Sequence, residues 1–330
     1  MKLPSATPDP VSAPMPIRIL CMQAFLDPET LAAARQRILA MGAAIEGERW
    51  LTAPGQGIFA RGCLEWSATI PASEVDSLRQ ALLSFAEASQ TDCLLLPTAH
   101  SQRLPAMVAF DMDSTLIQGE VIDELARLAG VGQAVSAITA AAMRGELVFQ
   151  ESFRRRVALL RGLPEQSVLS LIGSIPLMPG AERLFAVLHA LQVRTAVLSG
   201  GFTFFGRQLQ HRLGIQHLHA NELDIRDGRV TGEICGEIID GARKAALLGQ
   251  LAASHGLHLH QTAAVGDGAN DLPMLRLSGM GVAFHAKPLV RASAQSAISH
   301  QPLDALLYLF GLTDDEIAAA EQQGRALPSA

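Results

Sequence analysis

Two aspartates stand two positions apart in Asp111-Met112-Asp113-Ser114-Thr115, directly after the apolar run Met107–Phe110. If a tight turn follows that run, the carboxylates diverge around one ligand. Asp111 could then attack while Asp113 handles the proton of a leaving group, and a carboxylate is a competent nucleophile toward phosphorus. Alone, an Asp-x-Asp string is more often an acidic turn at the start of a helix. A second cluster, Ser199-Gly200-Gly201-Phe202, also follows an apolar run. A hydroxyl and glycine N–H groups there could cradle phosphate oxygens, because backbone donors need close approach; alone it is an ordinary turn. Lys244, in Asp240-Gly241-Ala242-Arg243-Lys244, would be a solvated charge in most helices, but charge spreading over phosphoryl oxygens calls for a fixed cation. The last cluster is Gly266-Asp267-Gly268-Ala269-Asn270-Asp271. Two aspartates four apart, flanking an asparagine, make a hard, oxygen-rich site suited to magnesium, which takes one or two carboxylates with waters and phosphate. Asp267 would bind it with Asp111 and the Asp113 carbonyl, while Asn270 and Asp271 orient from further out.

These clusters need elements that converge on one place. Met107–Phe110, Val193–Leu198 and Thr262–Val265 read as short apolar strands ending at Asp111, Ser199 and Gly266-Asp267, with long helical stretches between them. That alternation predicts parallel strands in a doubly wound α/β sheet, whose ligands bind beyond the carboxyl ends of the strands. Residues 116–178 are almost wholly helical, about four segments with no strand, as in a cap inserted after the first strand. Leu223–Ile239 alternates around Asp227-Gly228, a hairpin signal. Upstream, Ile17–Met22, Asp27–Met41, Ala44–Leu51, Ile58–Ile70, Ala72–Ala88 and Cys93–Leu96 read β-α-β-β-α-β, the order of a ferredoxin-like unit, with Ser73 as the cap of its second helix. Proline-rich residues 1–16 are expected to be a disordered arm, residues 17–98 a domain, Pro97–Pro105 a polar linker, and residues 99–330 a second domain with a short flexible C-terminal tail.

Composition narrows the class. At 330 residues two domains are the natural expectation, and 49% hydrophobic content is enough for packed cores. A formal net charge of -6 gives no electrostatic case for nucleic acid. Cys21, Cys63, Cys93 and Cys235 form no Cys-x-x-Cys pair and read as reduced, mostly buried thiols. The first residues lack the apolar core of a secretory signal, and no apolar run reaches the ~18 residues of a membrane span, so a soluble, cytoplasmic protein is expected.

The ordered set DxDST, SGG, Lys, GDGxND resembles the haloacid dehalogenase superfamily of phosphatases. The strings FDMDSTLIQGEVIDELARLAG (110–130), MRGELVFQESFRRRVALLRGL (143–163), PLMPGAERL (176–184), VLSGGF (197–202), VGDGANDLPML (265–275) and HAKP (285–288) resemble its phosphoserine-hydrolysing branch. The resemblance covers roughly residues 105–310. It implies a Rossmann-like core with a parallel sheet and a helical cap, a Mg²⁺ cofactor, and hydrolysis of O-phospho-L-serine through an aspartyl-phosphate, the last step of serine biosynthesis. By it Asp111 is the nucleophile and Asp113 the general acid and then base. Ser199, Gly200 and Lys244 hold the phosphoryl group. Asp111, Asp113 and Asp267 bind the metal, supported by Asn270 and Asp271. In the cap, Glu120 takes the substrate ammonium, Arg156 its carboxylate, and Phe149 closes over them. An amino acid zwitterion needs one anion and one cation, and arginine's planar fork suits a carboxylate. Which of Arg154, Arg155 and Arg156 points inward stays open. So do action on another small phosphate ester such as phosphohomoserine and a non-catalytic amino acid sensor, although intact Asp111, Asp113, Lys244 and Asp267 argue against the sensor.

The N-terminal element order resembles ACT-type regulatory domains, which implies a homodimer and an amino acid effector. No glycine-containing ligand loop follows the first strand, where Asp27-Pro28 stands instead. Residues 1–98 supply none of the groups named above and are expected to be dispensable for chemistry.

Overall fold

The computed structural model describes residues 14–55, 62–97 and 104–326. The described residues up to Leu104 pack with Gln295–Gln301 and Ala305–Ile317 as one compact unit; Pro105–Ala294, Pro302–Asp304 and the described residues from Ala318 form a second.

The first unit follows the expected order: β1 (Pro14–Gln23), α1 (Pro28–Ala40), β2 (Ala44–Thr52), β3 (Gly62–Pro71), α2 (Val75–Ser89) and β4 (Asp92–Pro97). Its antiparallel sheet runs β2-β3-β1-β4. Asp27 caps α1 by accepting the Thr30 N–H at 2.8 Å. The period-2 alternation of strands decides which residues face the helices: Ile17, Ile19 and Cys21 of β1 join Leu64, Trp66, Leu78, Leu82 and Phe85 in one core. Two expectations change here. β1 begins at Pro14, so the last residues of the proposed arm are strand, and residues 1–13 lie outside the described chain. Ser73 is not a cap: Ala72–Glu74 form a 3₁₀ turn, and α2 starts with Glu74 in the N-cap position without a side-chain bond. The beginning of the expected strand 58–70 and most of the linker 97–105 also lie outside the described residues.

The other face of this sheet carries Arg18, Leu20 and Met22, all buried. Arg18 Nε donates to Glu65 Oε2 at 2.7 Å, and Arg49 Nη2 donates to the Gly311 carbonyl at 3.1 Å. Thr52 Oγ1 donates to Asp314. Asp92 accepts the N–H groups of Ser299, His300 and Gln301 at 2.7, 3.0 and 2.9 Å. Residues 295–301 and 305–317 therefore belong by packing with the N-terminal unit, which corrects the boundary set at 99. A sheet with two buried faces needs a cover on each, and this stretch supplies the second.

In the second unit β5 (Met107–Phe110) is followed by α3 (Val121–Leu128), α4 (Gly132–Met143), α5 (Phe149–Ala158) and α6 (Glu165–Leu169), the expected helical cap. Its two stems pair: Gln118 N donates to Pro176 O at 2.9 Å and Met178 N to Leu116 O at 2.8 Å. Then come α7 (Ala181–Ala190), β6 (Arg194–Phe202), α8 (Thr203–Leu213), β7 (His217–Arg226), β8 (Arg229–Cys235), α9 (Gly241–Ser254), β9 (Thr262–Gly266), α10 (Leu272–Leu277), β10 (Met280–Phe284) and α11 (Pro288–Ser293). The strands run β10-β9-β5-β6-β7-β8, parallel except for the β7–β8 hairpin. Central β5 is buried along its whole length, as parallel strands covered on both faces must be. Asp227 (φ 50°) and Gly228 (φ 69°) make the hairpin turn, with the positive φ pair that matches strand twist. After β11 (Ser296–Ile298) and α12 (Leu306–Leu309) comes α13 (Asp314–Ala326), whose Glu321 accepts from Arg183 Nε at 2.9 Å; the chain end, expected to be a short flexible tail, lies outside the described residues. Among the described residues no helix is long and apolar enough to cross a membrane.

This packing changes the expectation for truncation. A chain beginning at Pro105 keeps every candidate site residue but strips residues 305–317 of the sheet they lie on. Leu306, Leu309 and Phe310, now at 0%, 0% and 2% exposure, would be laid bare. Thermal melting should show a lower Tm than the full chain, with aggregation by light scattering. An unchanged Tm and a monodisperse sample would contradict the packing assigned here.

Candidate active site

β5 ends at Phe110, and Asp111 N donates to Val265 O at 2.9 Å, so the first turn after the strand stays locked to β9. The chain then reverses. Ser114 adopts φ 56°, and the N–H groups of Thr115, Leu116 and Ile117 all point at Met112 O. This turn separates the two carboxylates. Asp111 Oδ1 accepts from Met112 N at 2.7 Å and from Lys244 Nζ at 2.9 Å. Asp113 Oδ1 accepts from Val121 N at 3.4 Å, at the first turn of the cap.

Lys244 lies on α9, 0% exposed, and bridges Asp111 to Asp271 Oδ1, 2.7 Å away. Burial works against its charge, but the two aspartates more than offset it and hold the ammonium above its ordinary pKa. Asp240 caps α9 by accepting from Arg243 N at 2.9 Å. Gly241 must lack a side chain, since a Cβ there would meet Asn270 O at 2.6 Å.

The loop after β9 carries Asp267 and Asp271. Thr115 Oγ1 donates to Asp267 Oδ1 at 3.1 Å, and Gly268 N to Asp271 Oδ2 at 2.9 Å. One carboxylate oxygen each of Asp111, Asp267 and Asp271 lies within 4.8 Å of the others. Burial and the charges of Asp111 and Asp271 push Asp267 up to about 8, and burial and Asp111 push Asp271 up to about 7. Asp113 is also raised well above the carboxylate range by burial and by Glu120 and Asp111. Seven carboxylates (Asp111, Asp113, Glu120, Asp123, Asp240, Asp267, Asp271) thus stand in or beside the cleft with three cations, Lys244, Arg156 and Lys287. That surplus, in a set of hard oxygen donors, fits a divalent cation. Both Asp271 oxygens are taken by Lys244 and Gly268, which suits the outer position expected for it.

The Ser-Gly-Gly segment differs from expectation: β6 continues to Phe202, and the register with β7 shifts between Leu198 and Phe202. Ser199–Gly201 occupy that irregularity, released from the ladder and turned to the cleft. Ser199 Oγ accepts from Gly201 N at 2.9 Å. A Cβ on Gly201 would meet Asp113 Oδ2 at 2.6 Å, so only glycine brings this backbone so close to Asp113. Asn221, 2% exposed, ties the segment down by donating to Gly200 O at 2.8 Å and accepting from Ile239 N at 2.9 Å. Sequence reasoning missed Asn221; its one signal was an amide in a strand next to the hairpin.

The cap closes the cleft, a cavity of about 790 Å³. Glu120, Phe149 and Arg156 all line it, as do Ser199, Gly200 and Asn270. Ser114 Oγ donates to Glu120 Oε1 at 3.0 Å. The Phe149 ring lies 3.1 Å from where a Cβ of Gly200 would stand, forming a wall against the Ser-Gly-Gly segment. Arg156 is the inward arginine: Arg154 and Arg155 are exposed, and Arg155 pairs with Glu151. The buried Arg156 Nε has no hydrogen-bond partner, an orphan donor where a ligand oxygen would be welcome. Asp123, also missed, lines the cleft, and its charge acts on Arg156.

Comparison with known proteins follows the same division. Residues 108–276 match the haloacid dehalogenase-like hydrolases. The chain belongs to this family. It is 47% identical over 248 residues to a phosphoserine phosphatase of Streptomyces coelicolor, covering 75% of this chain and 60% of that protein, so it spans about three-fifths of that relative's length. The unliganded structure of a probable phosphoserine phosphatase from Vibrio cholerae aligns with a TM-score of 0.69 at 32% identity, over 95% of this chain and 90% of that one. A phospho-aspartyl intermediate analogue of phosphoserine phosphatase aligns with a TM-score of 0.59 at 39% identity, over 62% of this chain and 98% of that one. As in the rest of the family, the chain has a Rossmann-like core dominated by parallel strands; its N-terminal antiparallel sheet is an addition to that core.

Like charges held this close should be relieved by a cation. Adding Mg²⁺ to metal-free protein should raise Tm, since a ligand that binds only the folded state stabilises it by mass action. The increment should vanish in Asp267→Asn. Equal increments in both proteins would place the cation elsewhere.

Proposed function

We propose that the chain is a phosphatase of small phosphorylated amino acids, hydrolysing O-phospho-L-serine to L-serine and phosphate with Mg²⁺. The observation that carries this reading is the pairing across one cleft of the Asp111–Lys244 pair with Glu120 and Arg156. One side offers a nucleophile with a fixed cation, the other an anion and a cation for a zwitterion. The related proteins named phosphoserine phosphatase support it.

With Lys244 and the Met112 N–H both on Oδ1, Asp111 keeps Oδ2 for attack on phosphorus. The serine oxygen departs as the new acyl-phosphate bond forms. Asp113, which burial and its acidic neighbours keep protonated, gives that oxygen its proton. It then takes a proton from the water that hydrolyses the aspartyl-phosphate, returning Asp111 and releasing phosphate. Ser199, the backbone N–H groups beside it and Lys244 hold the phosphoryl oxygens, where charge is greatest at the transition state. Magnesium, held by Asp111, Asp267 and the Asp113 carbonyl, would neutralise the substrate's charge and the surplus of carboxylates. Glu120 takes the ammonium and Arg156 the carboxylate, with Phe149 shutting out water. The reaction would end serine biosynthesis.

Substrate recognition and chemistry should separate under mutation. Removing a charge-assisted contact costs about 1.5–3 kcal/mol, roughly ten- to a hundredfold in binding. Arg156→Ala should lose that much kcat/KM toward phosphoserine, yet change little toward an aryl phosphate that lacks the carboxylate. Glu120→Gln should follow it. Lys244→Ala should damage both substrates alike, and Asp111→Asn should abolish both, because both pass through one phosphoryl transition state. Should Arg156→Ala fall equally on both substrates, the arginine is structural and the amino acid specificity is wrong.

A further inference from the structure

The cap is fastened to the core in three places of unequal strength. The first is the stem, where 116–118 and 176–178 pair backbone to backbone. The second is the β7–β8 hairpin. Gly162 N donates to Val230 O at 2.8 Å, Val230 N to Leu163 O at 2.9 Å and Glu165 N to Gly228 O at 2.9 Å, while Arg229 Nη1 reaches Gly162 O at 2.8 Å. Gly232, at φ 85°, lets the end of α5 lie against β8, for a Cβ there would meet Arg161 Cβ at 3.1 Å and Ala158 O at 3.2 Å. The hairpin is thus a strut, and cap and hairpin stay joined through several main-chain bonds.

The third fastening is a side-chain contact. Gln150, next to Phe149 at the start of α5, donates from Nε2 to Asp240 Oδ2 at 2.7 Å. Asp240 is the N-cap of the helix carrying Lys244: its other oxygen, Oδ1, accepts from Arg243 N, and its carbonyl accepts from Lys244 N at 2.9 Å. The Gln150 bond first and the Arg243 N–H second hold the Asp240 carboxyl below the usual carboxylate range, so it stays an anionic acceptor. Behind it Gly241 lies against Asn270 O in the loop that carries Asp267 and Asp271. A longer exposed contact, Lys287 Nζ to Met143 Sδ at 3.6 Å, is the weaker neighbour of this one.

We propose that Gln150 and Asp240 are the latch of the cap: the fastening that, together with the weaker Lys287–Met143 contact, breaks when the cleft opens and re-forms when it shuts. Gln150 touches no reacting atom; it is a positioning residue that brings Phe149 and Arg156 over the phosphoryl site. Opening pivots on the stem and the strut, whose main-chain bonds persist. One Asp240 carboxylate serves both bodies, so closure meets α9 at its first turn, one helical turn from Lys244.

The test uses the full chain and rests in part on the phosphoserine reading. Gln150→Ala should raise KM for phosphoserine about three- to tenfold, the scale of one solvent-exposed hydrogen bond, with kcat within about twofold. Gln150→Glu should raise it further, because two carboxylates then face each other. The double variant Gln150→Glu/Asp240→Asn should restore KM: the new amide can still cap α9 through its oxygen while its nitrogen donates to the new carboxylate. A merely structural glutamine would give no such rescue. Amide hydrogen exchange of metal-free protein gives a second readout, independent of substrate. Exchange in α4 and α5 should quicken in Gln150→Ala while β5 and β9 stay unchanged. If wild type fails to hydrolyse phosphoserine, the functional reading falls and exchange alone decides the latch. Unrescued KM, or unchanged cap exchange in Gln150→Ala, would overturn it.

Discussion

An ammonium group with no exposed surface must be met by anions, since burying it unpaired would cost more than a fold can spare. Lys244 is met by Asp111 and Asp271, at 2.9 and 2.7 Å, and much of the second unit follows from those two contacts. They fix the loops after β5 and β9 relative to one another and fix the start of α9 relative to both. They explain why Gly241 and Gly266 carry no side chain: a Cβ would meet Asn270 O at 2.6 Å in one case and the Asp271 carboxyl carbon at 2.4 Å in the other. Lys244 and the Met112 N–H both sit on Asp111 Oδ1 and leave Oδ2 without either donor. The same lysine is thus what allows three aspartates to converge.

The cap faces a different problem. Its ligand groups must be sheltered yet reachable, so their partners are few. Glu120 has Ser114 Oγ, while the buried Arg156 Nε has no partner at all. A permanent partner for that nitrogen would compete with any ligand oxygen for the same donor. Helical period explains the rest: Phe149, Phe153 and Arg156 follow one another at four and three residues along α5 and so share the face that looks into the cleft. The Phe149 and Phe153 rings stack with centroids 6.0 Å apart, giving that face a rigid apolar floor.

That same period could have chosen Arg156 over its two neighbours from the sequence, since only residue 156 falls on the Phe149 stripe. Much else was legible because the signal was local. Asp111 and Asp267 stand at the ends of apolar strands, and Asp227-Gly228 turns a hairpin. What stayed hidden depends on partners far along the chain. Nothing near Leu306 or Phe310 says that they lie in the N-terminal unit, because that packing is set by a second apolar face on a sheet some two hundred residues upstream. Asn221 and Gln150 were missed for the same reason: each acts through distant hydrogen bonds, Asn221 with Gly200 O and Ile239 N and Gln150 with Asp240, which their local sequence does not announce. Ser73 failed differently, because a 3₁₀ turn displaced the helix start past it.

Local rules are broken mostly where the chemistry is. Ser114 takes a left-handed φ that a side chain resists, β6 loses register at Ser199–Gly201, where Gly201 lies against Asp113, and carboxylates gather where burial disfavours charge. Each departure has a geometric return. The left-handed turn sends Asp111 and Asp113 to different sides of one ligand. The irregularity in β6 takes Ser199–Gly201 out of the ladder with β7 and lets them line the cleft. The surplus of negative charge makes the site incomplete without a cation and a phosphate together, since a phosphate alone would be repelled. A fold that satisfied every local preference at these strand ends would keep its donors paired and its acids apart, and would have nothing to offer a phosphate ester.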